Sequence, residues 1–305
     1  MAAGSLRSYT SQNFAKIIIP LLVIVAIVFN VLAAIFALRW AQAPFLGILF
    51  YPNLIATASF NPDWEAQELG VEIGDALKTI DGSAISTGRE LFLYLQEQKE
   101  IGDEVTLNIE PSPTQSKDLA NPLVVSLSSF PTHDLLIFFW LPYGIGLVYL
   151  ALGIIVYRLR GAGHGGDVFV AFCAFISILT SGIFDQYTLH FLTPVWSLIF
   201  PLSGAGLLHL AFVFPTQIRL ARRSPWLRFM PYVLALILGL LNLYSFYLSP
   251  NPRLYLTIRL WDFSFIGLAI LLFLALQLNS RLSSLSALVR QQTHIIFWSP
   301  TPAAS

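Results

Sequence analysis

The residues of this chain that could do chemistry are few, and their spacing excludes the common catalytic motifs. No histidine begins the His-Glu-x-x-His pattern in which two imidazoles hold zinc and a glutamate acts as base. No glutamate follows Glu110 at all. A single cysteine, Cys173, excludes an intramolecular disulfide and a cysteine-cluster metal site. We therefore predict no catalytic residues, no metal site and no cofactor.

A serine nucleophile with a histidine base is a second possibility, at Ser203 and His209. At roughly 100° per helical residue, their spacing separates the side chains by about 600°, which does not clearly place them on one face. The small residues Gly204 and Gly206 beside Ser203 are better explained by close helix packing. We do not predict a serine hydrolase.

Three aspartates, Asp167, Asp185 and Asp262, adjoin apolar segments and are candidates for a proton relay. All three lie near predicted span ends, where water is within reach. Asp185 and His190 share one very short loop, and this pair could sense pH or bind an ion. A solvated turn is the simpler interpretation of that loop.

The composition indicates a multi-span membrane protein. Of 305 residues, 56% are hydrophobic and 11% are charged, against roughly 25% charged in a typical soluble domain. This excludes a disordered chain and an ordinary cytosolic enzyme. Residues 40–134 hold 14 acidic and four basic residues, and the remainder holds three acidic and 13 basic residues. An acidic domain is therefore inserted in an arginine-flanked, hydrophobic body.

Six segments carry almost no charge and are candidate membrane spans. They are residues 17–38, 135–157, 168–184, 191–215, 229–249 and 256–278. The first span covers about 33 Å as a helix and lacks a cleavage site, so we interpret it as an anchor rather than a signal peptide. The third is short. Asn30 and Asn242 lie within spans and are expected to bond neighbouring helices.

Basic residues occur on every second loop. They are Arg7 and Lys16, Arg158 and Arg160, Arg219 to Arg228, and Arg281 and Arg290. The positive-inside rule places the termini, 1–16 and 279–305, in the cytoplasm, and the acidic domain outside the cell membrane. The cluster around Arg222 could bind anionic membrane lipids at about 1 kcal/mol per charge, although a topology anchor explains it equally well. We expect no nucleic-acid binding.

Between 41 and 130 the pattern changes to short strands and one helix, which predicts a small α+β domain. Residues 76–80 precede an Asp81-Gly82 turn, and residues 105–109 alternate between apolar and polar. Further β-like runs are 46–51, 54–60 and 124–127. Ser86 or Thr87 is expected to cap a helix whose apolar face carries Leu91, Phe92 and Leu95.

Residues 64–82 read Trp-Glu-Ala-Gln-Glu-Leu-Gly-Val-Glu-Ile-Gly-Asp-Ala-Leu-Lys-Thr-Ile-Asp-Gly. This string resembles the core of bacterial PDZ domains, in which a helix precedes Gly-Asp, an apolar strand and an Asp-Gly turn. Residues 102–109 match the family's closing strand, and the resemblance covers about 45–127. Leu69 departs from the family, which often has alanine there.

The resemblance implies that a peptide pairs with an exposed sheet edge and that backbone N–H groups of one loop hold its terminal carboxylate. Phe45, Leu46, Gly47 and Ile48 match that loop and are the predicted peptide-binding residues. Two alternatives are that these residues form an apolar strand leaving the membrane, or that the groove is occupied internally and the domain is structural.

The membrane body is similar to the N-terminal sensor region of multi-pass bacterial histidine kinases. Three segments carry the similarity: 141–160, His209 to Pro215, and Arg290 to His294. The chain has no phosphoacceptor helix and no ATP-binding domain, so the similarity covers only the input half of such a sensor. Leu282, Leu285 and Val289 could form an amphipathic helix that passes a signal inward.

These observations predict an α-helical polytopic membrane protein with five helices, 135–278, following a PDZ-like domain. Its expected function is a sensor or receptor input module that binds a peptide or protein terminus and acts on a partner kinase. The alternative is a non-catalytic scaffold or accessory subunit of a membrane enzyme or transporter. A transporter is a third possibility, favoured by a span that Pro194, Pro201 and Gly204 were expected to interrupt.

Overall fold

The computed structural model of the chain is mostly helical, with one small sheet region inserted after the first helix. It describes residues 2–57, 61, 64, 69–112, 122–160, 164–214, 224–249, 251 and 253–283. All but the first residue of the predicted helix at 283–290, most of the arginine cluster and residues 65–68 of the PDZ-like motif lie outside these residues.

Within the residues just given, the bundle is built from six long helices. They are α1 (Ala2–Trp40), α4 (Leu141–Arg160), α5 (His164–Ser181), α6 (Thr193–Val213), α7 (Met230–Tyr247) and α8 (Leu254–Ser283). Two shorter helices, α2 (Gly88–Gln98) and α3 (Thr132–Leu135), precede α4, and a π-helical segment (Leu136–Trp140) joins α3 to it. Helix α6 packs against α5, α7 and α8 and forms the centre of the bundle.

Five of the described helices are long and apolar enough to cross a membrane. The candidate spans are Ile17–Trp40, Thr132–Leu159, Thr193–Val213, Trp226–Tyr247 and Leu254–Asn279. These helices indicate a membrane protein, as the composition predicts. The apolar part of α5, Gly165–Ser181, is shorter than the other spans. At about 1.5 Å per residue, the whole of α5 covers about 27 Å, close to the roughly 30 Å of a hydrocarbon core. The sixth span stays a prediction.

The inserted domain (41–130) contains a four-stranded antiparallel sheet and a separate strand pair. The strands are β1 (Pro44–Phe45), β2 (Ala76–Ile80), β3 (Ser83–Ala84), β4 (Glu104–Glu110), β5 (Leu123–Ser126) and β6 (Ser128–Ser129). The sheet order is β3-β2-β4-β5, and β1 pairs with β6. The β1–β6 pair therefore closes the domain where its chain enters and leaves the bundle.

Local sequence signals in the domain are confirmed. Asp81 and Gly82 have φ of 50° and 78° and turn β2 into β3, as expected for a tight hairpin. Thr87 caps α2 by accepting a hydrogen bond from Glu90 N at 3.2 Å. Alternate residues of β4, beginning with Val105, are buried.

The strand prediction for 46–51 and 54–60 is largely wrong. Within the described part of these runs, only isolated bridges form, between Phe50 and Ala56 and between Ile55 and Ala76. Leu54 has a φ of 62°, which bends the chain back between the two runs. Their apolar side chains are nevertheless buried in the domain core. The apolar pattern of the two runs therefore indicated burial correctly, but it did not indicate strand pairing.

An aromatic cluster joins the inserted domain to the helices. Its rings meet edge to face or tilted, at centroid distances from 4.7 Å, for Trp40 and Phe130, to 6.0 Å, for Phe130 and Phe184. The other members are Phe45 and Trp64. Trp64 also donates from Nε1 to Asp134 Oδ2 at 2.9 Å, which satisfies a buried carboxylate. The domain and the start of the bundle therefore share one core.

Helix α6 is continuous, so the expected interruption is wrong. Pro194 lies in the first turn, where a missing N–H costs nothing, and Pro201 is accommodated inside the helix. A Cβ added to Gly204 would lie 3.1 Å from Phe265 on α8, which confirms that this glycine permits close packing. Asn30 Nδ2 donates to Ser177 Oγ at 2.9 Å and so joins α1 to α5 as predicted.

Asp75 is the buried polar centre of the domain, and its loss should destabilise it. Its carboxylate accepts from Ser112 N at 2.8 Å and from Glu72 N at 2.9 Å. Asp75→Ala removes the acceptor of both amides. Each amide left unsatisfied lowers the free energy of unfolding by about 1–3 kcal/mol. We expect protease resistance of the domain to be lost at a lower temperature. Asp103→Ala, which removes a similar but exposed bond to Glu100 N, is the matched control and should have less effect.

Candidate functional site

The groove at which the resemblance places a peptide lies between residues 44–50 and helix α2. Phe45, Leu46 and Ile48 are at most 7% exposed, and Gly47 has a φ of 70°, a conformation that favours glycine. The facing wall is Gly88, Leu91 and Leu95 of α2. The structure thus brings the predicted residues to one wall of a groove, but it buries their side chains.

The groove is filled by the chain's own connection between α5 and α6. We call residues 185–191 the interhelix loop; it begins with a 3₁₀ turn, Asp185–Tyr187. Tyr187, Thr188 and His190 line the groove together with Ile48 and Leu91. The cavity left between them is about 30 Å³, far below the roughly 300–1,000 Å³ of a ligand pocket. A peptide therefore has no space there while the loop is in place.

Asp185 allows the loop to be buried by satisfying its backbone. Its Oδ2 accepts from Leu192 N at 2.7 Å, from Thr193 N at 2.9 Å and from Thr193 Oγ1 at 3.1 Å, and its Oδ1 accepts from Phe191 N. These donors include the first amides of α6, which need a partner beyond the helix. Burial raises the pKa of Asp185 to about 6, and the hydrogen bonds, which favour the carboxylate, oppose that rise.

His190 is the loop residue with the tightest fit. It has a φ of 63°, its exposure is 7%, and its N–H donates to Asp185 O at 3.0 Å. Burial lowers the pKa of His190 to about 3, so its ring is neutral in the docked loop at neutral pH. The ring lies against Gly88: a Cβ added there would be 2.6 Å from His190 Cδ2. Only glycine at position 88 admits this contact.

A second set of contacts joins the domain to the α7–α8 connection. Arg253 donates from Nε to Gly74 O at 3.2 Å and from Nη2 to Pro111 O at 3.1 Å. Tyr51 of the domain packs against Tyr255 of α8 with ring centroids 4.7 Å apart. The domain is therefore attached to both later helical hairpins.

The interhelix loop is also joined to α8 inside the bundle. Gln186 Nε2 donates to Tyr255 OH at 2.7 Å, and Arg259 Nη2 donates to Gln186 Oε1 at 2.8 Å. The Arg259 guanidinium lies over the rings of Phe200 and Trp196, at 4.2 and 4.5 Å from their centroids. A movement of the loop would therefore change side-chain contacts on both α6 and α8.

An open cleft of about 800 Å³ adjoins the filled groove and shares Pro44 and Phe92 with its lining. Its wall combines the end of α1 at Arg39, the end of α2 at Lys99, and Phe191 of the interhelix loop. Arg89 holds Phe191 from above, with the guanidinium carbon 3.8 Å from the ring centroid. The cleft gives a ligand from solvent access to the edge of the loop.

Several sequence interpretations of polar residues need correction. The solvated turn expected for Asp185 and His190 is wrong, because both side chains are buried. Asp262 was expected near water, but it is completely buried and bonds Asn242. The contributions of Gly88, Gln186 and Arg253 were not anticipated, because nothing in their local sequence reports a contact with a distant segment.

Ser203 and His209, the serine and histidine considered from the sequence, are each bonded to other groups. Ser203 Oγ donates to Phe200 O in its own helix at 2.7 Å, and His209 Nδ1 lies 3.1 Å from Tyr232 OH. Among the residues that the structure describes, no group of three histidine, cysteine or acidic side chains could hold a metal.

No family model, curated protein or solved structure matches the chain.

Gly88→Ala should expel the interhelix loop, because the new methyl group would occupy the position of the His190 ring. The measurement is maleimide labelling of Thr188→Cys, a buried position, in a Cys173→Ala background. We expect faster labelling than without Gly88→Ala. Gly144→Ala, where an added Cβ meets no atom within 4 Å, is the control. His190→Ala should restore slow labelling to the Gly88→Ala chain; if it does not, this contact does not set the loop's position.

Loop docking should weaken as the pH falls. An exposed His190 takes up a proton near its ordinary pKa of about 6.5, whereas the docked ring does so only near pH 3. His190 alone would therefore weaken docking by about 2 kcal/mol between pH 7 and pH 5. Asp185 acts in the opposite direction, because its pKa is raised to about 6 in the docked loop, and its protonation offsets about 1 kcal/mol of that loss. The net effect is weaker docking at pH 5. Labelling at position 188, relative to exposed Glu97→Cys at each pH, should rise accordingly. In His190→Gln only the opposite effect of Asp185 remains, so labelling should no longer rise as the pH falls. A rise that persists in this variant would assign the dependence to another group.

Proposed function

We propose that the chain is the input module of a membrane sensor, in which an external peptide or protein terminus competes with the interhelix loop for the domain groove. The observation that carries the proposal is the occupant of the groove. Residues 187–190 fill the space between Ile48 and Leu91, and they belong to the connection between two membrane helices. A ligand in this groove must displace a segment that is covalently continuous with the bundle.

The resemblance to PDZ domains supplies the binding chemistry in this proposal. The ligand's backbone would pair along residues 44–50, and the loop at Phe45, Leu46, Gly47 and Ile48 would offer N–H groups to a terminal carboxylate. The φ of Gly47 supports this assignment, since a backbone that closely approaches a ligand commonly needs glycine.

The contacts of the loop supply the relay. Displacement would separate Asp185 from the start of α6 and Gln186 from Arg259 on α8. Ligand binding would therefore favour a second arrangement of α5, α6 and α8. The size of this shift is set by how much more tightly the ligand binds the second arrangement than the first. A partner kinase or another membrane enzyme would respond to that arrangement by contacting the cytoplasmic ends of the helices.

The packing also supports six spans. The inserted domain, the interhelix loop and the α7–α8 connection at Arg253 lie together at one end of the bundle. If α1 and α4 cross the membrane, α5 must cross as well to return its loop to the domain's side. With the alternation of basic loops, this favours an extracytoplasmic domain and cytoplasmic termini.

A non-catalytic scaffold is the second candidate, and the aromatic cluster favours it. Trp40, Phe45, Trp64 and Phe130 fix the domain to the bundle through a dry contact that a ligand at the groove would not open. In this case the interhelix loop is a permanent part of the domain core, and the rigid unit holds another membrane protein in place.

The two functions are separated by selecting C-terminal peptides from a displayed random library against the full chain in nanodiscs. For the sensor, we expect enriched peptides to bind more tightly to His190→Ala than to the unaltered chain, because the competing loop is weakened. The same peptides should increase labelling of Thr188→Cys. Ile48→Asp should abolish binding, whereas Val124→Asp, at a position 53% exposed on β5, should not.

Spin labels at Leu159→Cys and Leu278→Cys, near the ends of α4 and α8, test the relay in the Cys173→Ala background. A bound peptide should change the distance between them. Ligand binding would be refuted if no peptide is enriched on either the unaltered chain or His190→Ala. Binding that leaves both the labelling and the distance unchanged would instead favour the scaffold.

A further inference from the structure

A second buried polar site lies inside the bundle, between α7 and α8. Asn242 Nδ2 donates to Asp262 Oδ2 at 2.7 Å, and to Leu238 O in its own helix at 3.1 Å. Asp262 is 0% exposed and Asn242 is 1% exposed. The pair therefore joins two membrane helices through a carboxyl group that solvent does not reach.

Two oxygens of this pair lack a hydrogen-bond partner among the described residues. They are Asp262 Oδ1 and Asn242 Oδ1. Each shares its carbon atom with one end of the existing Asn242–Asp262 bond. When an acid and an amide form a planar ring of two hydrogen bonds, these two oxygens face each other. Both are acceptors if Asp262 is ionised, and no hydrogen bond can then join them.

An ionised Asp262 would find no counter-charge on the helices that pack against α8. Helices α6 and α7, which pack against α8, contain no aspartate, glutamate, lysine or arginine. Their titratable groups are His209, bonded to Tyr232, and the tyrosines Tyr244 and Tyr247. A buried ion without a partner is costly in a protein interior and more so in a bilayer.

The charged group nearest in sequence, Arg259, has other partners. It lies one turn before Asp262 on α8 but donates to Gln186 and stacks on Phe200. Arg259 lies close enough to attract an ionised Asp262 electrostatically, but within the described residues no ion pair joins the two side chains. Tyr255, a further turn away on α8, accepts its hydrogen bond from Gln186.

We propose that Asp262 and Asn242 form a proton-binding site within the membrane bundle, occupied at neutral pH. The proton resides on Asp262 Oδ1 and is donated to Asn242 Oδ1, so that one proton satisfies both unpartnered oxygens. The site rests on the α7–α8 contact and not on the groove, so it stands independently of the sensor proposal. Loss of the proton would place two acceptors and one negative charge at this contact.

Infrared spectroscopy of the full chain in lipid vesicles tests this site directly. A protonated carboxylic acid has a carbonyl band that carboxylates and amides lack, and that shifts in D₂O. We expect this band at pH 7 and its loss in Asp262→Asn. Glu97→Gln, at an exposed carboxyl group, should leave the band unchanged. Asp262→Asn should keep nearly the same thermal stability, because its amide can reproduce the ring of two hydrogen bonds.

Asn242→Leu provides a second variant that keeps the acid and removes its acceptor. Its carbonyl band should remain but move in frequency. If no band at pH 7 depends on Asp262, the residue is ionised and the proposal is wrong. If, in addition, sodium but not potassium raises the thermal stability of the chain, and Asp262→Asn removes that effect, the site binds a metal cation instead of a proton.

Discussion

A connection between two helices of the bundle can be buried under a domain only if its backbone polar groups find partners there, and Asp185 meets that requirement. One carboxylate receives three backbone amides and a hydroxyl group, including the donors at the start of α6. Without it, those amides would be buried unpaired at a cost of about 1–3 kcal/mol each. The filled groove, the contact with Gly88 and the position of α6 all depend on this carboxylate.

The same loop determines how the domain and the bundle can influence one another. Gln186 is bonded to two residues of α8, while the next four residues contact the domain. A movement at either surface therefore changes the environment of the other within a few residues of chain. The aromatic cluster around Trp40 and Phe130 is separate from this path and holds the domain whether or not the loop moves.

Local signals in the sequence predicted local structure well. The Asp81-Gly82 turn, the Thr87 cap and the alternation in β4 are each encoded within a few residues, and all three are observed. The environment of Asp185 and His190 could not be predicted in this way, because the residues that bury them lie far earlier in the chain. Asp262 was judged by its distance from a span end, whereas its burial depends on packing against Asn242.

The groove and its occupant are separated in the sequence by α4 and α5, and this sets an order of assembly. Residues 44–50 and α2 leave the ribosome before α4 and α5, and the interhelix loop follows both. A domain that folds as it is made therefore presents an apolar furrow to its surroundings until the later helices are inserted. During that interval the groove of the nascent chain is accessible to chaperones and to unrelated peptides. Correct insertion of the short helix α5 ends this exposure.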